Sequence, residues 1–279
     1  MRWRPEAGNA RRCGRRPLGR FRRVSGRVAW ISHCPVKGLA LRQLDECQLT
    51  EAGVAGDRQF FLVDENDRLV NSKGLGILQQ IVPRYDEQAE SLTLAFPDGT
   101  TLSHDVRFNG ALHAQFWGAS VHVRVVEGPW SEAISDFAGR DLRLVRAPGP
   151  ATDRMRSGAA TLLGTGSLHA IARLLGVDGI DSRRFRMNFG VDGLAEHEED
   201  EWLGRRVRIE QAAVVPQGNV GRCAVTTQNP ETGEPDLDTL KALAAYRQDV
   251  RATEPLPFGV YAAVAEPGRV RVGDPVELL

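Results

Sequence analysis

Apolar and polar positions alternate in short runs through the first half of the chain. Stretches over 28–32, 59–63 and 91–96 are apolar or alternating and rich in β-branched and aromatic residues, the period-2 signature of strands. Pro97-Asp98-Gly99-Thr100 closes the third as a turn, and 101–106 returns from it. Further strands are predicted over 121–126 and 142–145. Asp64-Glu65-Asn66-Asp67 reads as a hairpin loop; it lacks the glycine and the distal glutamate of a calcium loop. A Pro-, Gly- and Ala-rich piece, 147–151, marks a domain boundary. Beyond it the period changes. Leu168, Ile171, Leu174 and Leu175 share one face of a helix over 168–175, with Ser167 as N-cap and Gly176 as stop. A second helix is predicted over 238–246. Strands are predicted over 206–215 and 224–227, with a strand pair, 259–264 and 269–279, around Glu266-Pro267-Gly268. Short strands, tight turns and few helices predict a mainly β (α+β) fold of barrel-like domains.

Composition changes this picture at one end. Residues 1–27 hold ten arginines and one acid, Glu6, and read as a disordered Arg-rich tail. The same composition suits a targeting segment, although no apolar stripe accompanies it. The remaining residues carry 26 basic and 35 acidic side chains, a net charge of −9. A nucleic-acid face needs clustered Lys and Arg on the folded surface, so none is expected. No apolar run approaches a membrane span, and no secretory h-region is present. The expected location is cytoplasmic. The four cysteines, Cys13, Cys34, Cys47 and Cys223, form no Cys-x-x-Cys pair, which disfavours a zinc knuckle or an iron–sulfur cluster.

Familiar enzyme signatures are missing: no Gly-x-Ser-x-Gly, no His-Glu-x-x-His, no Walker loop. Four segments carry candidate chemistry. Gly164-Thr165-Gly166-Ser167 opens a helix; its backbone N–H groups suit a phosphate, or form a plain capped turn. Arg184-Phe185-Arg186-Met187-Asn188, read as a strand, puts Arg184, Arg186 and Asn188 on one face as an anion-holding set or an exposed surface. The acidic run 196–201 reads as a solvated loop in preference to a set of hard metal ligands. Cys223 follows Arg222, whose charge favours a thiolate. Such a sulfur is a soft metal ligand, a nucleophile or persulfide carrier, or a structural cysteine. Lys37 and Arg58 lie in short loops, after Cys34-Pro35-Val36 and Gly56-Asp57, and are ordinary taken singly.

Taken in order, these pieces resemble the MOSC family (molybdenum cofactor sulfurase C-terminal domain) in its form with an N-terminal β-barrel partner. The resemblance rests on Pro35-Val36-Lys37, Gly56-Asp57-Arg58, Val63-Asp64-Glu65 and the 184–188 segment. Most specific is Arg222-Cys223-Ala224-Val225-Thr226-Thr227 with Asn229-Pro230-Glu231-Thr232-Gly233. It implies a β-barrel-like domain over 28–147 and a MOSC β-barrel domain over 148–279. It further implies a molybdenum cofactor (molybdopterin) bound between them, with Cys223 as molybdenum ligand and Arg222 tuning or positioning it. Lys37, Arg58, Thr165, Ser167, Arg184, Arg186 and Asn188 would bind the cofactor. The amidoxime-reducing branch of the family implies reduction of small N-hydroxylated or N-oxygenated compounds. Electrons would come from a separate ferredoxin- or flavoprotein-type partner, because the cysteines here form no ferredoxin cluster. MOSC domains fused to sulfurases imply the alternative, a non-catalytic cofactor or persulfide carrier.

Overall fold

The computed structural model describes residues 25–153 and 155–279. Most of the Arg-rich segment lies outside them. Residues 25–27, expected in the tail, instead begin the strand Ser25–His33 and pair with 275–277.

Seven strands close a barrel. Their order is Ser25–His33, Phe189–Asp192, Ala160–Gly164, Pro257–Glu266, Ala212–Gly221, Val207–Ile209, Pro275–Leu278 and back to Ser25–His33. Only the pair Ala160–Gly164 and Phe189–Asp192 runs parallel in this ring, around the helix Thr165–Leu175 as its crossover. The inward-facing positions are filled by Ile31, Leu162, Phe189, Trp202, Val214 and Val260. Closure leaves no free sheet edge in the ring. The first strand, from the amino-terminal part of the sequence, is therefore structurally part of the carboxy-terminal barrel.

The amino-terminal half packs two sheets. One runs Arg107–Phe116, Ala119–Glu127, Arg143–Arg146, Phe60–Val63, Leu69–Val70; the other is the meander Val82–Asp86, Ser91–Ala95, Thr101–Asp105. Phe60, Leu62, Leu92, Leu94 and Leu144 form its core, with Trp130 and Ile134 supplied by helix α1, Trp130–Ala138. Helices α2, Thr165–Leu175, and α3, Thr239–Arg247, pack on one another against the barrel through Leu168, Ile171 and Leu243. Gly176 ends α2 in the left-handed conformation, as its position predicts.

Several local expectations change. Residues 206–215 form two strands, because Glu210 takes a positive φ of 49° and turns the chain. Residues 224–227 form a 3-10 turn, not a strand. The expected pair 259–264 and 269–279 does not form: the first lies in Pro257–Glu266, which pairs with Ala212–Gly221 and Ala160–Gly164, and the second divides into Gly268–Arg271, paired with Glu46–Thr50, and Pro275–Leu278, which joins the barrel. Ser167 is not the cap of α2, which starts two residues earlier behind Gly164.

Candidate functional site

One cavity lies between the two halves. Lys37, Asn71, Ser72, Lys73, Trp117 and Asp153 line it together with Thr161, Arg186, Asn188, Arg222 and Cys223. Arg58 joins them from the loop that precedes Phe60–Val63. Among the described residues, five of the lining side chains are cationic and only Asp153 is acidic. Two cationic residues, Arg58 and Arg186, hold positive φ values of 52° and 54°. Left-handed backbone strain of this kind collects at ligand sites.

The loops after the first strand set the floor. Cys34 is fully buried; its thiol donates to the Val36 carbonyl at 2.9 Å, and its backbone N–H donates to Asp57 Oδ1 at 2.7 Å. The other Asp57 oxygen pairs with Arg58 and accepts from Asn188 Nδ2 at 3.0 Å. Arg58 also donates to the Arg186 carbonyl at 3.0 Å, and Arg186 donates to the Leu39 carbonyl at 2.9 Å. Burial is the largest influence and works against the Arg58 charge, but Asp57, Cys34 and Asp153 together outweigh it and hold Arg58 above the ordinary value. Arg186 moves down, because burial and the repulsion from Arg58 exceed the attraction of its anionic neighbours. Burial also pushes the Cys34 thiol up, although Arg186 and Arg58 pull it down. Lys37 is buried and falls below the usual ammonium range, partly offset by its ion pair with Asp153 at 2.5 Å.

Asn188 is saturated by the protein. Its N–H donates to Thr161 Oγ1 at 2.8 Å, and its Oδ1 accepts from that hydroxyl at 3.0 Å. Its amide thus fixes Asp57 in place. Cys223 is half-buried, with extended backbone, at the start of the 3-10 turn Ala224–Thr227; Thr226 donates N–H and hydroxyl to its carbonyl. Its preceding neighbour is engaged with the backbone of two other segments. The Arg222 guanidinium is turned onto carbonyls, donating to Phe185 O at 2.7 Å and to Phe258 O, and rests over the rings of both residues. It ties the Cys223 turn to the barrel strand Pro257–Glu266.

The expected row of Arg184, Arg186 and Asn188 is not a strand face. Ser182–Phe185 is a 3-10 turn and Arg186 is left-handed, so successive side chains fan apart. Arg184 leaves the cavity and clamps the segment after Cys223: it pairs with both Asp236 oxygens, at 2.5 and 2.7 Å, and donates to Gln228 O at 2.8 Å. Thr165 and Ser167 also lie off the cavity lining. Thr165 donates to Asp192 at 2.8 Å, and Ser167 donates to Glu199 at 2.7 Å. The acidic run is correspondingly not a simple solvated loop. Glu199 is fully buried, with its carboxyl pushed up by burial, and Asp200 pairs with Arg247.

Asp57, Thr161, Asp153, Trp117 and the segment Asn71-Ser72-Lys73 are site residues the sequence reading missed. Asp57 stands inside the Gly56-Asp57-Arg58 motif, and its adjacency to Arg58 was the available signal. Asp153 and Thr161 follow the loop read only as a boundary. Chemically, the cavity combines a cationic cradle, suited to an anionic or phosphorylated ligand, with one thiol suited to a soft metal. Among the described residues no cluster of three or more His, Cys, Asp and Glu could hold a metal. No described helix is long and apolar enough to cross a membrane.

Comparison with known proteins agrees with this geometry. The MOSC N-terminal beta barrel domain matches residues 25–141, and the MOSC domain matches 153–277. Mouse mitochondrial amidoxime-reducing component 1 is 35% identical over 107 residues, covering 36% of this chain and 31% of that protein. Human mitochondrial amidoxime reducing component 2 is 38% identical over 105 residues, covering 33% and 29%. Human component 1 is 24% identical over 283 residues, covering 91% and 83%. The first two matches therefore span under a third of the relatives' own length. The solved YuaD protein from Bacillus subtilis has 15% identity, covers 92% of this chain and 96% of its own, and gives a TM-score of 0.48. With both domain matches in sequence and the closed barrel in three dimensions, the chain belongs to the MOSC family, with its N-terminal β-barrel domain.

Proposed function

We propose that the protein binds a molybdenum–pterin cofactor in this cavity and serves as an oxidoreductase that reduces N-hydroxylated small molecules. Its electrons would come from a separate ferredoxin- or flavoprotein-type protein. One observation carries the reading: among the described residues, the half-buried Cys223 shares a cavity with five cationic side chains and a single carboxylate. That donor set fits a phosphorylated, metal-bearing group, since guanidinium and ammonium groups satisfy the anion and a thiolate satisfies a soft metal. The similarity to amidoxime-reducing components supports the reaction class.

In this reading Lys37, Arg58 and Arg186 would hold the anionic part of the cofactor and Cys223 its metal. When bound, the group supplies the two-electron reduction that removes oxygen from nitrogen. The chain's own residues do the positioning. Asp57 and Asn188 fix Arg58, and Arg222 fixes the turn that presents Cys223. Arg184 clamps the following segment through Asp236. Thr165 and Ser167, engaged with Asp192 and Glu199 off the cavity lining, would support the barrel rather than touch the cofactor.

The test is metal and pterin content after expression in a host that makes the cofactor, with Cys223→Ser beside the wild type. About one molybdenum and one pterin per chain are expected, with most molybdenum and all N-reductase activity lost in a folded Cys223→Ser protein, because a hydroxyl is a harder and weaker ligand. Neither component bound, with labile sulfur on Cys223, would replace this reading with the persulfide carrier.

A further inference from the structure

Trp117 is an anomaly at the mouth of the cavity. It is 55% exposed, whereas Trp30, Trp130 and Trp202 are each at most 9% exposed. With Gly118 it forms the two-residue turn between Arg107–Phe116 and Ala119–Glu127, where Phe116 pairs with Ala119. Both turn residues have positive φ, 50° and 86°. This is the pattern of a type I′ hairpin, whose first position strongly favours Asn, Asp or Gly. A bulky aromatic there contradicts local turn chemistry. Such local violations concentrate where function requires a particular side chain.

The indole is nonetheless held in place. Its Nε1–H donates to Asp153 Oδ1 at 2.8 Å, the same oxygen that pairs with Lys37 Nζ. Its edge meets the Phe116 ring, with centroids 6.4 Å apart and planes at 74°. Phe116 in turn lies under the Lys37 ammonium, 5.4 Å from the ring centroid. The hairpin stem is itself anchored, since Gln115 N donates to Asp67 O at 2.7 Å. Orientation is thus set from two sides while much of the ring remains open to solvent, and Trp117 lines the same cavity as Cys223. Core packing cannot explain a tip residue exposed to this extent. An oriented aromatic face beside a polar cavity is the usual form of a stacking surface for a flat ligand.

We infer that Trp117 is a stacking platform that makes the site selective for N-hydroxylated groups conjugated to a flat π-system over their alkyl counterparts; this rests on the proposed function. A planar substrate gains contact over the whole indole face, and a flexible alkyl chain gains much less. Stacking of a planar ring on an aromatic side chain corresponds to a preference of about tenfold or more.

The experiment uses the cofactor-loaded full chain, Trp117→Asn and Trp117→Phe, with an aryl and an alkyl amidoxime as paired substrates. Asn-Gly is a preferred type I′ turn, so Trp117→Asn keeps the hairpin while deleting the ring. The aryl-over-alkyl ratio of kcat/KM should fall about tenfold in Trp117→Asn and recover in large part in Trp117→Phe. An independent readout is fluorescence quenching as the unreactive aryl amidine is titrated. Quenching should occur in the wild type and be lost in Trp117→Phe, because the other described tryptophans are buried. An unchanged ratio, or equal losses on both substrates, would overturn the platform. So would loss of pterin from Trp117→Asn, which would put the ring against the cofactor, or an altered KM for the electron donor alone, which would make the hairpin a docking element. If the wild type holds no molybdenum and reduces nothing, the proposed function fails. The quenching titration still decides the platform: present and Trp117-dependent it stands, absent it falls.

Discussion

Asp57→Asn probes how the cavity tolerates its charge. Asp57 is 4% exposed and serves three partners: the Cys34 N–H at 2.7 Å, the Asn188 amide at 3.0 Å and the Arg58 guanidinium. Asparagine keeps the shape and retains one acceptor, which can still serve Cys34. Its amide nitrogen would then face two donors, Arg58 and Asn188. Two bonds made to a charged acceptor are lost, at about 1.5–3 kcal/mol each, and removing one partner of a buried ion pair costs about 3–5 kcal/mol; these describe the same loss. Arg58 and Arg186 would be left as two buried guanidiniums with no carboxylate between them. For a chain of this size the melting temperature should fall by about 10 °C. Added phosphate should recover more of that loss in Asp57→Asn than it adds to the wild type, because an anion in the cradle replaces the missing charge. Thermal unfolding of the cofactor-free proteins, with and without phosphate, measures both effects. A fall of less than about 3 °C, or equal phosphate effects in the two proteins, would refute the claim that Asp57 compensates the cationic cradle.

His197 predicts an acid limb to stability. Burial, reinforced by the Arg247 charge, lowers it from 6.5 to about 4, and its side chain is 11% exposed. The unfolded chain therefore binds the proton first, so stability is complete above pH 6.5 and is lost as pH falls toward 4, by about 3 kcal/mol in all. His197→Asn, which tolerates the positive φ of 57° at this position, should flatten that limb in urea titrations between pH 4 and 7; an unchanged slope would contradict the assignment. Gly233→Ala tests the contact between the halves. A Cβ there would lie 2.0 Å from the Gly76 carbonyl oxygen, at a φ of +79°. The combined strain and overpacking should cost about 2–4 kcal/mol and loosen the turn that follows Cys223, read as a lower urea midpoint and reduced molybdenum retention. Both quantities unchanged would mean that this close approach does not hold the halves together.

Much of the fold was legible from pattern alone. The strands near 28–32, 91–96 and 121–126 appear because alternation is a local property of a half-buried sheet. The Gly176 stop of α2 appears because only its own backbone conformation is involved. The strand Arg107–Phe116 was missed because its apolar positions are too sparse and exposed to show a period. The pairing of Gly268–Arg271 with Glu46–Thr50 was equally hidden, since adjacency across more than 200 residues leaves no mark in either segment.

The site divides in the same way. Residue chemistry by itself singled out Cys223 and Arg186, and the family resemblance added Lys37 and Arg58; the fold gathers all four side chains into one cavity. The ordering of those motifs along the chain was enough to indicate the family. Which way each side chain points was decided only in three dimensions. Arg184 and Arg186 stand two residues apart, yet one clamps Asp236 and the other enters the cavity. The cause is the 3-10 turn Ser182–Phe185 followed by a left-handed residue, where the spacing suggested a strand. Ser167 reads as a helix cap but is spent on the buried Glu199. Asp57 and Trp117 gain their meaning from partners over a hundred residues away or across a loop boundary, Asn188 in one case and Asp153 in the other. Residue types and local periods are carried by the sequence at short range. Direction, burial and charge compensation arise from long-range contacts, and these exist only once the barrel has closed.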